Sequence, residues 1–278
     1  MTTERIPLAG VVGWPISHSK SPRIHGYWLK KYGLDGYYVP VGIRLQEFEE
    51  TLRSMPRLGF VGVNVTIPYK ESVLAMANSV TDRAALIGAA NTISFRADGG
   101  IHADNTDGIG FINNLKQEEP DWDASAGTAV VLGAGGAARA VISSLLAEGA
   151  PRVILANRTR ARGEVLQSHF GGRVEVRNWT EVPDLFSDAA TIVNTTSLGM
   201  VGQPPLEISL AKAPFGALVT DIVYNPLKTD FLLQAEQRGL LAVDGLGMLL
   251  HQAVPGFHDW FGQKPEVDAA LREAVLAP

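Results

Sequence analysis

The chain has 278 residues, of which 46% are hydrophobic and 19% charged, with a formal net charge of −5; this is the composition of a globular protein of one large or two medium domains. The acidic balance provides no electrostatic footprint for nucleic acid. The absence of cysteine excludes disulfides, thiolate metal sites and a cysteine nucleophile, and the six histidines form no HExxH motif, so no metal is expected.

The first apolar run, residues 8–12, is cut by Gly13, Trp14 and Pro15 too early for a signal-peptide core. No stretch approaches the ~20 apolar residues of a membrane span, so a cytoplasmic protein without a membrane partner is expected. Strand-like runs at 8–12, 37–41, 61–65 and 91–95 alternate with helices near 22–31 and 46–55, the pattern of an α/β sheet with crossover helices. A helix over about 106–117 then crosses between domains, and the polar segment 117–127, with Pro120 and Gly127, reads as a boundary loop. A second strand series follows at 128–132, 152–156, 173–176, 191–194 and 218–222. In 245–260, Leu246, Leu249, Leu250, Ala253 and Phe257 form one helical stripe, from whose centre Gln252 projects roughly 120° away, near Met248. With the second sheet complete by 222, this helix and a last one at 267–276 are expected to pack back on the first domain. The expected fold class is therefore α/β with two domains: 1–104, completed by 246–278, and a Rossmann-type domain at 105–245.

The second series carries the clearest chemistry. Val130-Val131-Leu132 runs into Gly133-Ala134-Gly135-Gly136-Ala137, a strand, a tight turn and the start of a small-residue helix. Such a turn lets backbone N–H groups close on a pyrophosphate at the helix N-terminus. About 20 residues further on, dinucleotide folds place an acidic residue for the ribose 2′-OH of NAD. Here the strand ends in Asn157-Arg158-Thr159, with Arg160 and Arg162 behind. Guanidinium groups bind phosphate oxygens where a carboxylate repels them, so the expected cofactor is NADP. Read as the start of a helix, Arg158 and Arg162 share one face and flank the 2′-phosphate, Asn157 and Thr159 line the ribose, and Arg160 points elsewhere.

Four further segments add to this: Gly13-Trp14-Pro15-Ile16-Ser17-His18-Ser19-Lys20-Ser21-Pro22, Gly62-Val63-Asn64-Val65-Thr66-Ile67-Pro68-Tyr69-Lys70-Glu71, Gly88-Ala89-Ala90-Asn91-Thr92 and Asp104-Asn105-Thr106-Asp107-Gly108. With the Gly-rich turn, Asn157-Arg158-Thr159 and Gly245-Leu246-Gly247-Met248, they resemble the shikimate/quinate dehydrogenase family over nearly the whole chain, in order and at the expected spacing. Read alone, Ser21 suits a helix cap, Lys70 a solvated surface and Asp107 a helix start.

The resemblance implies that shikimate lies in a cleft between the domains, contacted by Ser19, Ser21, Thr66, Lys70, Asn91, Asp107, Tyr224 and Gln252. Lys70 and Asp107 would form the acid–base pair, with the formal base left open between them. Asp82, Thr195, Ile222 and Gly245 would join the cofactor contacts. The implied reaction is reversible reduction of 3-dehydroshikimate to shikimate by NADPH, in chorismate and aromatic amino-acid biosynthesis, by a monomer or homodimer. A relative that uses quinate or NAD, or a non-catalytic NADP-binding sensor, remains the alternative; the Lys70 and Asp107 side chains weigh against the sensor. Trp14, where smaller polar residues are common in the family, and the run 98–102, which reads as peripheral, are the departures.

Overall fold

The computed structural model describes residues 6–277; residues 1–5 and 278 of the expected first domain lie outside that range. The chain divides into two compact units, Met1–Thr106 with Leu250–Pro278, and Asp107–Leu249.

The first unit begins β1 (Leu8–Gly13), α1 (Ser21–Tyr32), β2 (Tyr37–Gly42), α2 (Phe48–Ser54) and β3 (Phe60–Val65). It continues α3 (Ser72–Met76), β4 (Ser79–Val80), α4 (Asp82–Ile87), β5 (Thr92–Phe95) and β6 (Ile101–Asp104). Its sheet has the order β2-β1-β3-β5-β6-β4. The alternating runs suggest crossover connections throughout, and β1 indeed pairs in parallel with β2 and β3. β5 instead runs antiparallel to both β3 and β6, so the sheet is mixed. The run 98–102 turns the β5–β6 hairpin, exposed at Asp98 and Gly99, and its Ile101 is buried in the core. One face of the sheet packs Val63, Val65, Ile93 and Ala103 against Phe48, Leu52, Tyr69 and Val73.

The second unit contains α5 (Asp107–Glu118), β7 (Thr128–Leu132), α6 (Gly136–Ala147), β8 (Val153–Ala156), α7 (Arg160–Phe170) and β9 (Val174–Arg177). After these come α8 (Val182–Leu185), β10 (Ala189–Asn194), β11 (Leu218–Asp221), α9 (Asp230–Gln237) and β12 (Leu241–Val243). All six strands are parallel, in the order β12-β11-β10-β7-β8-β9. This is the doubly wound arrangement, with its switch point between β7 and β10. The sheet does not end at 222 as expected: β12 adds an edge strand of three residues, too short for periodicity to reveal. Successive residues enter opposite cores, Val131 and Leu155 beside Val141 and Leu145, Val130 and Ile154 beside Phe186 and Phe231. A parallel sheet covered on both faces reads as continuous apolar runs for this reason.

The chain then returns through α10 (Leu246–Phe261) and α11 (Ala269–Leu276). The unit boundary falls inside α10, four residues later than expected, because Met248 in its first turn belongs to the second core. Beyond it, Trp260 packs on Ala9, Val11 and Tyr38 and donates its indole N–H to the Ile93 carbonyl at 3.2 Å. Asp268 caps α11 by accepting from the Leu271 N–H at 2.8 Å, and the Lys20 ammonium donates to the Val275 carbonyl at 2.8 Å. From Leu250 on, the last helices belong to the first unit.

Candidate active site

In the first unit a buried polar network covers the C-terminal end of β3 and the start of β5. Tyr38 donates to Asn64 Oδ1 at 2.7 Å and also hydrogen-bonds the Ser21 side chain. Burial pushes the Tyr38 phenol well up, so the hydroxyl keeps its proton and remains a donor. Asn64 Nδ2 donates to the Asn91 carbonyl at 3.1 Å and lies 3.3 Å from Thr92 Oγ1. Asn91 Oδ1 accepts from Thr92 Oγ1 and from the Thr106 N–H, both at 2.9 Å, while its Nδ2 donates to Gln252 Oε1 at 3.2 Å. Thr106 Oγ1 in turn donates to the Gln252 carbonyl at 2.8 Å. The Asn91 side-chain amide thus has one permitted orientation, fixed by its partners. Behind Tyr38, the fully buried His25 ring stacks at 3.8 Å, and burial drives its pKa down to about 3 despite the nearby Asn64 amide.

Of the expected substrate residues, Asn91 and Gln252 belong to this network and Ser21 bonds its Tyr38. Gln252, which the helical stripe places off-axis, is buried at 8% exposure because its own turn of α10 faces polar partners. Ser21 is not the helix cap: the cap position is Lys20, already in helical conformation, and Ser21 is the first helical residue. Ser19 Oγ accepts the Ser21 N–H at 3.3 Å, which leaves two hydroxyls at the positive end of α1. Thr66 and Lys70 lie in the turn after β3, half-buried. The Lys70 carbonyl accepts from the Ala90 N–H at 2.7 Å, next to Asn91. Asp107 follows Thr106 directly and is buried at 7% exposure. Asn91 therefore adjoins the residue that bonds Lys70, and is itself bonded to the residue preceding Asp107. Trp14 is half-exposed, with the Arg44 guanidinium 5.8 Å from its ring.

In the second unit, Gly133 adopts φ +104°, and a Cβ there would meet Thr195 Oγ1 at 2.8 Å; only glycine combines that backbone with that approach. α6 starts without a side-chain cap at Gly135, and Cβ atoms on Gly135 or Gly136 would point into open space. Uncapped N–H groups facing space that a side chain would fill suit a pyrophosphate. Asn157 Nδ2 donates to the Thr159 carbonyl at 2.8 Å, bending the chain after β8. α7 begins at Arg160, not at 158, so Arg158 lies in that bend and shares no helix face with Arg162. Both are exposed, and neither side chain has a hydrogen bond or ion pair among the described residues. Arg160 is engaged with Glu164 at 2.9 Å and Asn178 at 2.9 Å. Ile222 and Tyr224 follow β11, burial raising the Tyr224 phenol, and Gly245 lies against the Ile222 carbonyl. Asp82 stands apart, exposed in the first turn of α4 in the first unit. Among the described residues no cluster of His, Asp or Glu could hold a metal ion.

Known proteins match this arrangement along its whole length. A family profile described as the shikimate dehydrogenase substrate binding domain matches residues 11–93, and one described as shikimate / quinate 5-dehydrogenase matches 115–204. A shikimate dehydrogenase (NADP(+)) of Jannaschia sp. (strain CCS1) is 61% identical over 277 residues, covering 100% of both chains. This chain belongs to the shikimate dehydrogenase family. Among solved structures, a shikimate 5-dehydrogenase from Thermus thermophilus in complex with NADP(H) and shikimate is 34% identical, with TM-score 0.86 and 98% of each chain covered. A quinate dehydrogenase from Corynebacterium glutamicum in complex with NAD is 29% identical, with TM-score 0.89 and coverage of 97% of this chain and 98% of that one. The same fold is thus shared by a shikimate dehydrogenase bound to NADP(H) and a quinate dehydrogenase bound to NAD.

Several participants escape sequence reasoning. Tyr38, Asn64, Thr92 and Thr106 hold Asn91 and Gln252, and Asn194, Asp221 and Thr229 tie the loops after β10 and β11. The available signal is a polar residue inside an apolar strand, as at Asn64 and Asn194. A buried amide needs partners, but strand periodicity does not say which.

Proposed function

We propose that this chain catalyses reversible hydride transfer between C3 of shikimate and NADP, yielding 3-dehydroshikimate, NADPH and a proton. The Asn91 network carries the reading: its buried side-chain amide is joined to Thr106, which precedes Asp107, and to Gln252, while the adjoining Ala90 N–H bonds the Lys70 carbonyl. When bound, the nicotinamide accepts the hydride. Lys70 and Asp107 take the C3 hydroxyl proton as the C–H bond breaks, and return it in the reverse direction. Ser19 and Ser21 receive the carboxylate at the positive end of α1, with Thr66, Asn91, Tyr224 and Gln252 orienting the ring hydroxyls. Gly133, Ala134, Gly135, Gly136 and Ala137 hold the pyrophosphate, with Thr195, Ile222 and Gly245 beside it and Asp82 at the mouth. Arg158 and Arg162, unpartnered after β8, take the 2′-phosphate, with Asn157 and Thr159 at the ribose. The reaction places the enzyme in chorismate and aromatic amino-acid biosynthesis. None of the described helices is long and apolar enough to cross a membrane; we place the enzyme in the cytoplasm, as a monomer or homodimer.

The test is reduced-cofactor absorbance with shikimate and quinate, each with NADP and NAD. Shikimate with NADP should lead every other pairing by about tenfold or more, the worth of one charge-assisted contact. Equal rates with NAD or quinate would overturn the assigned specificity, and absent turnover with intact NADP binding would favour a sensor.

A further inference from the structure

Asp221 ends β11 and is fully buried, yet no cation pairs with it among the described residues. Its partners are all neutral. Oδ1 accepts from Asn194 Nδ2 at 2.9 Å and from the Val223 N–H at 3.0 Å, and Oδ2 accepts from Thr229 Oγ1 at 2.8 Å. Burial raises its pKa to about 6, against the opposing pull of those three donors. Three donors face its two oxygens, the partner set of an ionised carboxylate, in a place where a charge is expensive.

What the charge holds is specific. Asn194 is its register partner at the end of β10, and its Oδ1 accepts from the Thr196 N–H at 3.0 Å and hydroxyl at 2.7 Å. Asn194 Nδ2 also reaches the Leu198 carbonyl at 3.3 Å, so the turn carrying Thr195 is tied to Asp221. The Val223 N–H bond fixes the step between Ile222 and Tyr224. Thr229 caps α9 through the Leu232 N–H at 3.4 Å while donating to the carboxylate. A carboxylate can take all three donors at once; an asparagine can take only those on its oxygen and turns an NH2 group toward Thr229.

We propose that Asp221 is a positioning residue for the cofactor, its carboxylate setting the Thr195 and Ile222–Tyr224 segments through Asn194, Val223 and Thr229. The inference rests on the NADP reading above. In the strand order, β10 and β11 lie on one side of β7, and β8, which leads to Arg158, lies on the other. A dinucleotide spans such a switch point with one mononucleotide on each side. Asp221 therefore governs the half away from the 2′-phosphate.

Binding of NADPH and of adenosine 2′,5′-bisphosphate, followed by calorimetry with the full chain, tests this. Asp221→Asn should raise the Kd for NADPH by up to about 10- to 150-fold, the worth of one charge-assisted hydrogen bond, and change that for the bisphosphate by less than about twofold. Thr229→Ala should act in the same direction and Thr229→Ser should restore binding; this pair carries the test if Asp221→Asn does not fold. Unchanged NADPH affinity, equal losses for both ligands, or failure of serine to rescue would each overturn the proposal. A wild-type protein that binds neither ligand would instead overturn the cofactor reading on which it stands.

Discussion

The two sheets solve the problem of binding in different ways. The parallel sheet of the second unit offers backbone: an uncapped helix start, glycines without side-chain obstruction and two unpartnered arginines after β8. The mixed sheet of the first unit offers side chains, with Tyr38, Asn64, Asn91, Thr92 and Gln252 locked into one another. A backbone cradle recognises a phosphate group that many ligands share. A locked set of amides and hydroxyls recognises one arrangement of donors and acceptors, because a ligand lacking a partner leaves a buried polar group unpaired. Substrate choice should therefore be most sensitive to the amide network of the first unit, and cofactor choice to the second unit.

The largest expected effects belong to Lys70 of the first unit and Asp107, the first residue of the second. Lys70→Ala should lower kcat by about 10²–10⁴-fold, the range for losing general acid–base help, while the shikimate Kd changes far less. Asp107→Ala should lower kcat and weaken shikimate together, since its carboxylate also accepts a ring hydroxyl. Steady-state kinetics beside direct shikimate binding reads both, and near-normal turnover in Lys70→Ala would remove that residue from the chemistry.

Cofactor choice should move only with the second unit. Arg158→Ala should weaken NADP by roughly 10- to 150-fold, about 1.5–3 kcal/mol for a charge-assisted contact to a dianion, and leave NAD nearly unchanged. Arg160→Ala, which removes an exposed pair with Glu164, should alter neither affinity. Dissociation constants for both cofactors check this; equal losses for NAD and NADP in Arg158→Ala would assign that arginine to loop stability.

The buried charges of the two units predict opposite pH responses. Asp221 has a folded pKa raised to about 6 from 3.8. The folded state takes up this proton first, so this group's contribution to stability rises as pH falls from above 6 toward 4, by about 1–3 kcal/mol. At Asp104 burial alone would raise the carboxyl, but hydrogen bonds from Arg83 and Thr81 outweigh it and the net shift is downward. Its contribution is therefore present above the unfolded carboxylate pKa and lost as pH falls through the folded one. Chemical denaturation across this range should show a smaller gain on acidification in Asp221→Asn than in wild type; equal pH slopes would place the Asp221 pKa near its ordinary value.

The smallest effect tests how tightly the amide network is locked. Tyr38→Phe removes the 2.7 Å bond to Asn64 and should raise the shikimate KM by about fivefold, roughly 1 kcal/mol, with the NADP KM unchanged. A shift in the NADP constant instead would contradict the division of labour between the sheets.

Much of this architecture is legible in the chain itself. Long apolar runs such as Val130-Val131-Leu132 announce strands covered on both faces, and the glycines after them announce a turn that approaches a ligand. Charge alone points Arg158 and Arg162 toward a phosphate, but the helix face they were expected to share does not form, because a helix start cannot be placed to the residue from a run of good helix formers. Short elements such as β4 and β12 leave no periodic trace. Local chemistry thus determined the α/β class and the glycine turn between β7 and α6, and it pointed to NADP. Only the tertiary structure decided that β5 runs antiparallel, that Asn64 and Thr92 hold Asn91, and that Asp221 meets Asn194 and Thr229. Most of those pairings join residues far apart in the chain, and a polar side chain in a strand declares only that it needs a partner, never which one the fold will bring.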